Sequence, residues 1–409
     1  MLSISDRGRL MPPSPIRKLV PYADEAKKRG IRVYHLNIGQ PDIETPPQIL
    51  DAVRQADIRV LEYSHSAGNE SYRRKLAGYY GKLGISLTAD QILVTTGGSE
   101  AILFGFLTCL NPGDEVIIPE PFYANYNGFA VAAGVRVVPI HSSIETGFAL
   151  PPMDQVEKAI TDRTRAILIC NHNNPTGYLY STRELEALRD ICLRHDLYLF
   201  SDEAYREFCY EGQATSALCL EGLDRHVLVM DTISKRYSAC GARLGALVTR
   251  NKEVYDAALK FAQARLSPPG LAQILAEAAV DLPEHYFDQP RAEYKARRDL
   301  LVSRLNAMPG VYCPRPGGAF YAMARLPIDD SDRFCQWLLE SFSHQNQTLM
   351  LAPATGFYST PGLGTNEVRL AYVLNLDALN AAMDCLERAL EQYPGRVLAG
   401  REAVSLARS

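Results

Sequence analysis

Between about residues 90 and 250, short apolar runs alternate with longer amphipathic stretches. Positions 91–95, 115–118, 135–139, 164–170, 197–201, 227–231 and 246–249 read as strands. Positions 101–109, 123–133 and 182–195 read as helices between them. The last is the best marked. Ser181 and Glu184 stand at the spacing of a capping box, and Leu185, Leu188 and Cys192 share one face. Strands alternating with helices predict an α/β fold with a mostly parallel sheet covered on both faces.

The pattern changes on either side of this stretch. Pro12, Pro13, Pro15 and Pro21 break up the first residues and predict an arm with a short or kinked helix. A short apolar stretch at 33–36 leads into the loop Asn37-Ile38-Gly39-Gln40-Pro41-Asp42, and Thr45-Pro46 reads as a cap and first helical position. After 290 comes a charged helix over 291–306, then Gly317-Gly318, short strands at 319–324, 348–352 and 368–372, and a last helix with Leu379, Met383, Leu386 and Leu390 on one face. This predicts a second, smaller α+β domain. The expected boundaries are 1–45 for the arm and part of the small domain, 46–290 for the large domain, 291–395 for the small domain and 396–409 for a tail.

Polar clusters follow the apolar runs at matching places. Gly97-Gly98-Ser99-Glu100 follows the run ending near Thr95. Asn171 to Gly177 follows Cys170, Asp202-Glu203-Ala204-Tyr205 follows Ser201, and Thr232-Ile233-Ser234-Lys235 follows Asp231. If these strands are parallel, all the clusters share one edge of the sheet, where open α/β folds bind ligands. Gly97-Gly98 opens a helix whose free N–H groups attract an anion. Thr232 and Ser234 add hydroxyls, and Arg243 adds a planar cation suited to phosphate. Asp202 can hold a protonated ring nitrogen. Tyr205 and Asn174 can hydrogen-bond a ring oxygen, and an amine such as that of Lys235 can form a Schiff base with an aldehyde. A ligand with an aldehyde, a phosphate, a phenolic oxygen and a basic ring nitrogen is pyridoxal 5′-phosphate.

Composition narrows the class. Of 409 residues 47% are hydrophobic and 22% charged, which suits a globular enzyme and excludes a disordered chain. A formal charge of −4 supplies no basic field for nucleic acid or an anionic membrane. The nine cysteines form no CxxC pair, so neither a metal cluster nor a disulfide frame is expected. The N-terminus shows no basic-then-apolar signal region, and a reduced, cytoplasmic protein is expected.

With Asn174-Pro175-Thr176-Gly177, Asp202-Glu203-Ala204-Tyr205, and Ser234-Lys235 followed by Arg243, the chain from about 36 to 390 resembles the fold-type I, class I/II pyridoxal-phosphate aminotransferases, the aspartate aminotransferase-like group. The resemblance implies a large domain with a mostly parallel seven-stranded sheet plus a smaller α+β domain. It implies that Lys235 is the Schiff-base lysine and proton carrier, that Asp202 partners the pyridinium nitrogen, and that Tyr205 and Asn174 bind the ring oxygen. Gly98, Ser99, the Glu100 backbone, Thr232, Ser234 and Arg243 would form the phosphate cup, and Tyr123 would stack on the ring. Tyr63 would reach the phosphate of the neighbouring subunit in a homodimer. Arg369 would clamp the substrate α-carboxylate, with the Gly39 backbone and Asn174 beside it.

The expected reaction is transamination between an L-amino acid, aspartate or alanine favoured, and a 2-oxo acid such as 2-oxoglutarate. A dicarboxylic substrate needs a second cation, for which Arg265 is the sequence candidate. His172 stands where the family often has proline and reads as a packing residue. A β-lyase or decarboxylase on the same fold, and a non-catalytic ligand-binding homologue, are the alternatives.

Overall fold

Runs of β-branched and other apolar residues with no polar alternation require burial on both faces, and the computed structural model, which describes residues 2–397, places them there. Strand β1 (Arg32–His35) precedes β2 (Ile92–Thr95), β3 (Glu115–Glu120), β4 (Arg136–His141), β5 (Thr164–Cys170), β6 (Tyr198–Asp202), β7 (Val227–Thr232) and β8 (Gly245–Val248). The strands β2 to β8 form a seven-stranded sheet in the order β2-β8-β7-β6-β5-β3-β4. Strand β8 runs antiparallel to both neighbours, and the other pairings are parallel. Every residue of β2, β3, β6 apart from Tyr198, β7 and β8 is buried, whereas the edge strand β4 is largely half-exposed. Helices cover both faces, among them Gly97–Cys109 and Thr182–His195. The predicted Ser181/Glu184 capping box is formed.

The remaining strands are β9 (Tyr321–Arg325), β10 (Gln347–Met350), β11 (Ala352–Pro353) and β12 (Glu367–Ala371). Strands β11, β12 and β9 make an antiparallel sheet, and β1 pairs in parallel with β10. The run at 348–352, read as one strand, is divided between β10 and β11 with Leu351 between them. The last helix, Leu376–Gln392, buries Leu379, Met383, Leu386 and Leu390 as its pattern predicts. The charged helix Asp288–Ala307 differs from a solvated one. Arg297 and Arg298 are buried, Arg297 on Asp42, Glu293 and the Val373 carbonyl, and Arg298 on the Pro316 carbonyl, Glu211 and Asp299. Long side chains satisfied at their tips are buried at tolerable cost.

The proline-rich start holds a short helix, Asp6–Leu10, then Val20–Lys28 with a proline in its first turn. The helix expected at Pro46 begins one residue later at Pro47. No helix of the described residues is long and apolar enough to cross a membrane. The tail expected over 396–409 falls, from 398 on, outside the described residues.

Candidate active site

Because β2, β5, β6 and β7 point the same way, the segments leaving their carboxyl ends converge, and a cavity of about 650 Å³ opens there. Gly39, Gly98, Ser99, Tyr123, Asn174, Asp202, Tyr205, Thr232, Ser234, Lys235, Arg243 and Arg369 all line it.

Strand β7 ends at Thr232, whose hydroxyl accepts from the Ser234 amide at 3.2 Å and caps the short helix Ile233–Arg236 that carries Lys235. Beneath that helix Asp231 pairs with buried Arg236 at 3.0 Å and accepts from Tyr80 at 2.8 Å, which fixes the turn from below. The Lys235 amine donates to the Gly39 carbonyl at 2.9 Å and lies 3.7 Å from the Cys240 thiol.

Arg243 follows the turn Cys240–Ala242 in a left-handed conformation, φ 54°, and donates to the Cys240 carbonyl at 3.0 Å. Its guanidinium lies over Gly97, where a Cβ would stand 2.5 Å from Nη2 and where φ is +75°. Only glycine serves at that position. Arg243, the amino end of helix Gly97–Cys109 and the Thr232 and Ser234 hydroxyls thus frame an anion-accepting end of the cavity.

Asp202 ends β6. It accepts from Tyr126 Oη at 2.8 Å and from the Ala204 amide at 3.2 Å. Burial pushes its carboxyl up to about 6, against the pull of the Tyr126 hydrogen bond. A buried carboxylate whose protein partners are all neutral donors fits a cationic group in the cavity. Tyr205 Oη and Tyr321 Oη lie 2.9 Å apart, and burial lifts the Tyr205 phenol well above its ordinary value. Tyr123 is likewise raised, to about 12.

Arg369 sits on β12, fully buried, with its guanidinium 4.6 Å from the Tyr321 ring and 4.7 Å from the Phe357 ring. It donates to Asn174 Oδ1 at 3.0 Å and to the Asn37 carbonyl, and its Nε has no partner. Desolvation lowers its pKa. A carboxylate entering the cavity would meet both needs. At Gly39 a Cβ would stand 1.8 Å from Tyr321 Oη, so a side chain there would fill the site.

Other sequence candidates lie elsewhere. Tyr63 is 78% exposed, away from the cavity. The Glu100 side chain accepts from the Thr96 amide and pairs with Arg265 at 3.2 Å. Arg265 also donates to the Ser66 and Val94 carbonyls and does not line the cavity. His172 is fully buried with Nδ1 3.2 Å from the Tyr205 carbonyl, and burial lowers its pKa to about 4. Sequence reasoning missed Tyr126, one helical turn after Tyr123, and Tyr321, just past the Gly317-Gly318 pair. It also missed Asn37 and the arm residues Ser14, Ile16 and Arg17, which line the same cavity as Lys235.

The residues present therefore fit pyridoxal phosphate: an amine, a buried carboxylate, phenols and an anion-accepting end line one cavity. Comparison with known proteins agrees. The family model "Aminotransferase class I and II" matches residues 31–364. The chain is 30% identical over 404 residues to an aspartate aminotransferase of Bacillus subtilis, covering 96% of this chain and 100% of that one. It is 32% identical over 397 residues to an aspartate/prephenate aminotransferase of Thermus thermophilus, covering 95% and 99%. A solved aspartate aminotransferase of Thermus thermophilus with maleate superposes with a TM-score of 0.86 at 32% identity, over 95% of this chain and 100% of that chain. Matched across nearly its whole length in sequence and fold, the chain belongs to the class I and II aminotransferases and is a pyridoxal phosphate-dependent transaminase acting on amino and 2-oxo acids.

Proposed function

We propose that the amino donor is a small L-amino acid, aspartate favoured over alanine, and that the acceptor is a 2-oxo acid such as 2-oxoglutarate. The names of the relatives support aspartate. The observation that carries the site reading is that Lys235, Asp202, Arg243 and Arg369 line one cavity.

Bound there, pyridoxal phosphate supplies an aldehyde carbon for an amine and a ring that takes up the electron pair left when the Cα proton departs. Arg243, Thr232, Ser234, Ser99 and the backbone at Gly98 and Glu100 hold its phosphate. Asp202 keeps the ring nitrogen protonated, Tyr205 and Asn174 bind the ring oxygen, and Tyr123 covers a ring face. Arg369 receives the substrate α-carboxylate, with Gly39 beside it, and so orients the Cα–H bond. The Lys235 amine accepts the proton from Cα and holds it for return.

The same reading takes the protein to be a cytoplasmic homodimer. Ile58, Val60, Leu61 and Tyr63 are exposed, as are Leu266 and Leu271, and a Cβ on Gly270 would stand 3.5 Å from Leu61. Such a contiguous apolar surface suits a subunit interface. In the dimer Tyr63 would reach the partner subunit's phosphate. The division into 1–45, 46–290, 291–395 and 396–409 is supported by the sheets, since β2 to β8 fall within the second segment and β9 to β12 within the third.

The test is a half-reaction. Purified protein loaded with pyridoxal phosphate is mixed with L-aspartate, and the change of the aldehyde absorbance to that of the amine is followed. Stoichiometric 2-oxo acid is expected, and Lys235→Ala should abolish both the reaction and borohydride trapping of the cofactor. Release of ammonia or CO₂ in its place would point to elimination or decarboxylation.

A further inference from the structure

Arg369, Arg243 and Arg17 are the guanidinium groups that line the cavity, and Asp202 is the carboxylate among the lining residues. Arg243 belongs to the phosphate end and Arg369 to the α-carboxylate. Arg17 has neither role, and its guanidinium has no hydrogen bond or ion pair with any described residue. Arg265, the cation expected from sequence to meet a second carboxylate, is held by Glu100 and two carbonyls.

The arm carrying Arg17 is fixed at the Arg369 end. The Ile16 carbonyl accepts from Asn37 Nδ2 at 3.4 Å, and the carbonyl of the same Asn37 accepts from Arg369. Pro15 sits on Gly356, where a Cβ would stand 2.1 Å from the proline ring, and Gly356 adjoins Phe357, whose ring covers the Arg369 guanidinium. Lys18 pairs with Asp332. The residues on both sides of Arg17 are thus tied down, while Arg17 itself is exposed at the cavity mouth. A dicarboxylic substrate whose α-carboxylate rests on Arg369 thus has a further guanidinium, that of Arg17, lining the same cavity.

We infer that Arg17 is the specificity-determining cation that receives the second carboxylate of a dicarboxylic amino or 2-oxo acid. This rests on the transaminase site read above. An unpaired guanidinium at the mouth offers a planar, two-pronged donor to a carboxylate without first breaking an ion pair.

The test compares the loaded wild-type enzyme with Arg17→Gln and Arg17→Lys in two measurements. In the first, the ratio of kcat/KM for L-aspartate over that for L-alanine should fall about 10- to 100-fold in Arg17→Gln and recover partly in Arg17→Lys. In the second, calorimetric binding of the unreactive pair succinate and butyrate should show the same loss of preference for the dicarboxylate. A ratio unchanged in either measurement overturns the inference, as does a wild-type enzyme with no preference for the dicarboxylic partner. The binding arm does not need turnover. An enzyme inert toward every amino acid would therefore sink the transaminase site reading while still deciding the place of Arg17.

Discussion

Buried Tyr126 donates across 2.8 Å to Asp202, which lines the cavity, and this hydrogen bond favours the charged carboxylate. Burial is the largest cause of an Asp202 pKa raised to about 6, a value already held down by this hydrogen bond. The apoprotein should therefore bind pyridoxal phosphate less tightly as pH falls through about 6, where Asp202 takes up a proton. In Tyr126→Phe the midpoint should move to higher pH. In Asp202→Asn this component should vanish and turnover should drop about 100-fold or more. The cofactor phosphate titrates too, but equally in all three proteins, so ratios of dissociation constants against pH isolate the carboxyl. Superimposable profiles would rule out this account.

Arg369→Lys keeps the charge but loses the planar fork and the stacking between Tyr321 and Phe357. The expected result is a rise in KM for the amino donor and a fall in kcat/KM of about 10- to 100-fold, with the bound cofactor's absorbance unchanged. Loss of cofactor in place of substrate affinity would contradict the assignment of Arg369 to the α-carboxylate.

Two glycines of the site should respond differently to alanine. At Gly39 the added carbon would stand 1.8 Å from Tyr321 Oη, which must then leave its partner Tyr205. At Gly98 the nearest atom is Thr232 Cβ at 3.7 Å, an ordinary contact. Gly39→Ala should lose most activity, and Gly98→Ala should retain it within about threefold. The reverse order would show that the Gly39–Tyr321 contact does not shape the site.

Much of this was legible in the chain because a fully buried sheet needs unbroken apolar runs, and polar residues just beyond them stand out. The seven runs read as strands between 91 and 249 are β2 to β8. Antiparallel β8 was not legible, since local pattern carries no strand direction. Tyr321 and Asn37 were missed because their roles come from partners more than 100 residues away, Tyr205 and Arg369. The pairing of Arg265 with Glu100 was not legible for the same reason, because only the fold brings Glu100 to it.

His172 makes a prediction about stability. Its pKa is lowered by burial from 6.5 to about 4, so the unfolded chain takes up this proton first as the solution is acidified. The contribution of the neutral ring is complete above pH 6.5 and is lost as pH falls toward 4, on the order of 3 kcal/mol in all. Asp202, raised by burial, works in the opposite direction over part of that range, so the readout is a difference. Urea midpoints of wild type and His172→Gln between pH 7.5 and 4.5 should converge on acidification. Parallel curves would mean that burial does not lower the His172 pKa in the fold.

The exposed apolar residues around Leu61 predict assembly. Leu61→Asp with Val60→Asp should shift the sedimentation coefficient from that of a dimer toward that of a monomer. A wild-type protein that sediments as a monomer at micromolar concentration would remove the interface.

The Arg369 guanidinium is held by two rings, an amide oxygen and a backbone carbonyl before any substrate arrives. Freezing a long side chain normally takes away part of the free energy of association. Here that entropy has already been lost during folding. The docking carboxylate therefore spends little of its interaction on ordering the receptor, and more is left to aim the reacting bond.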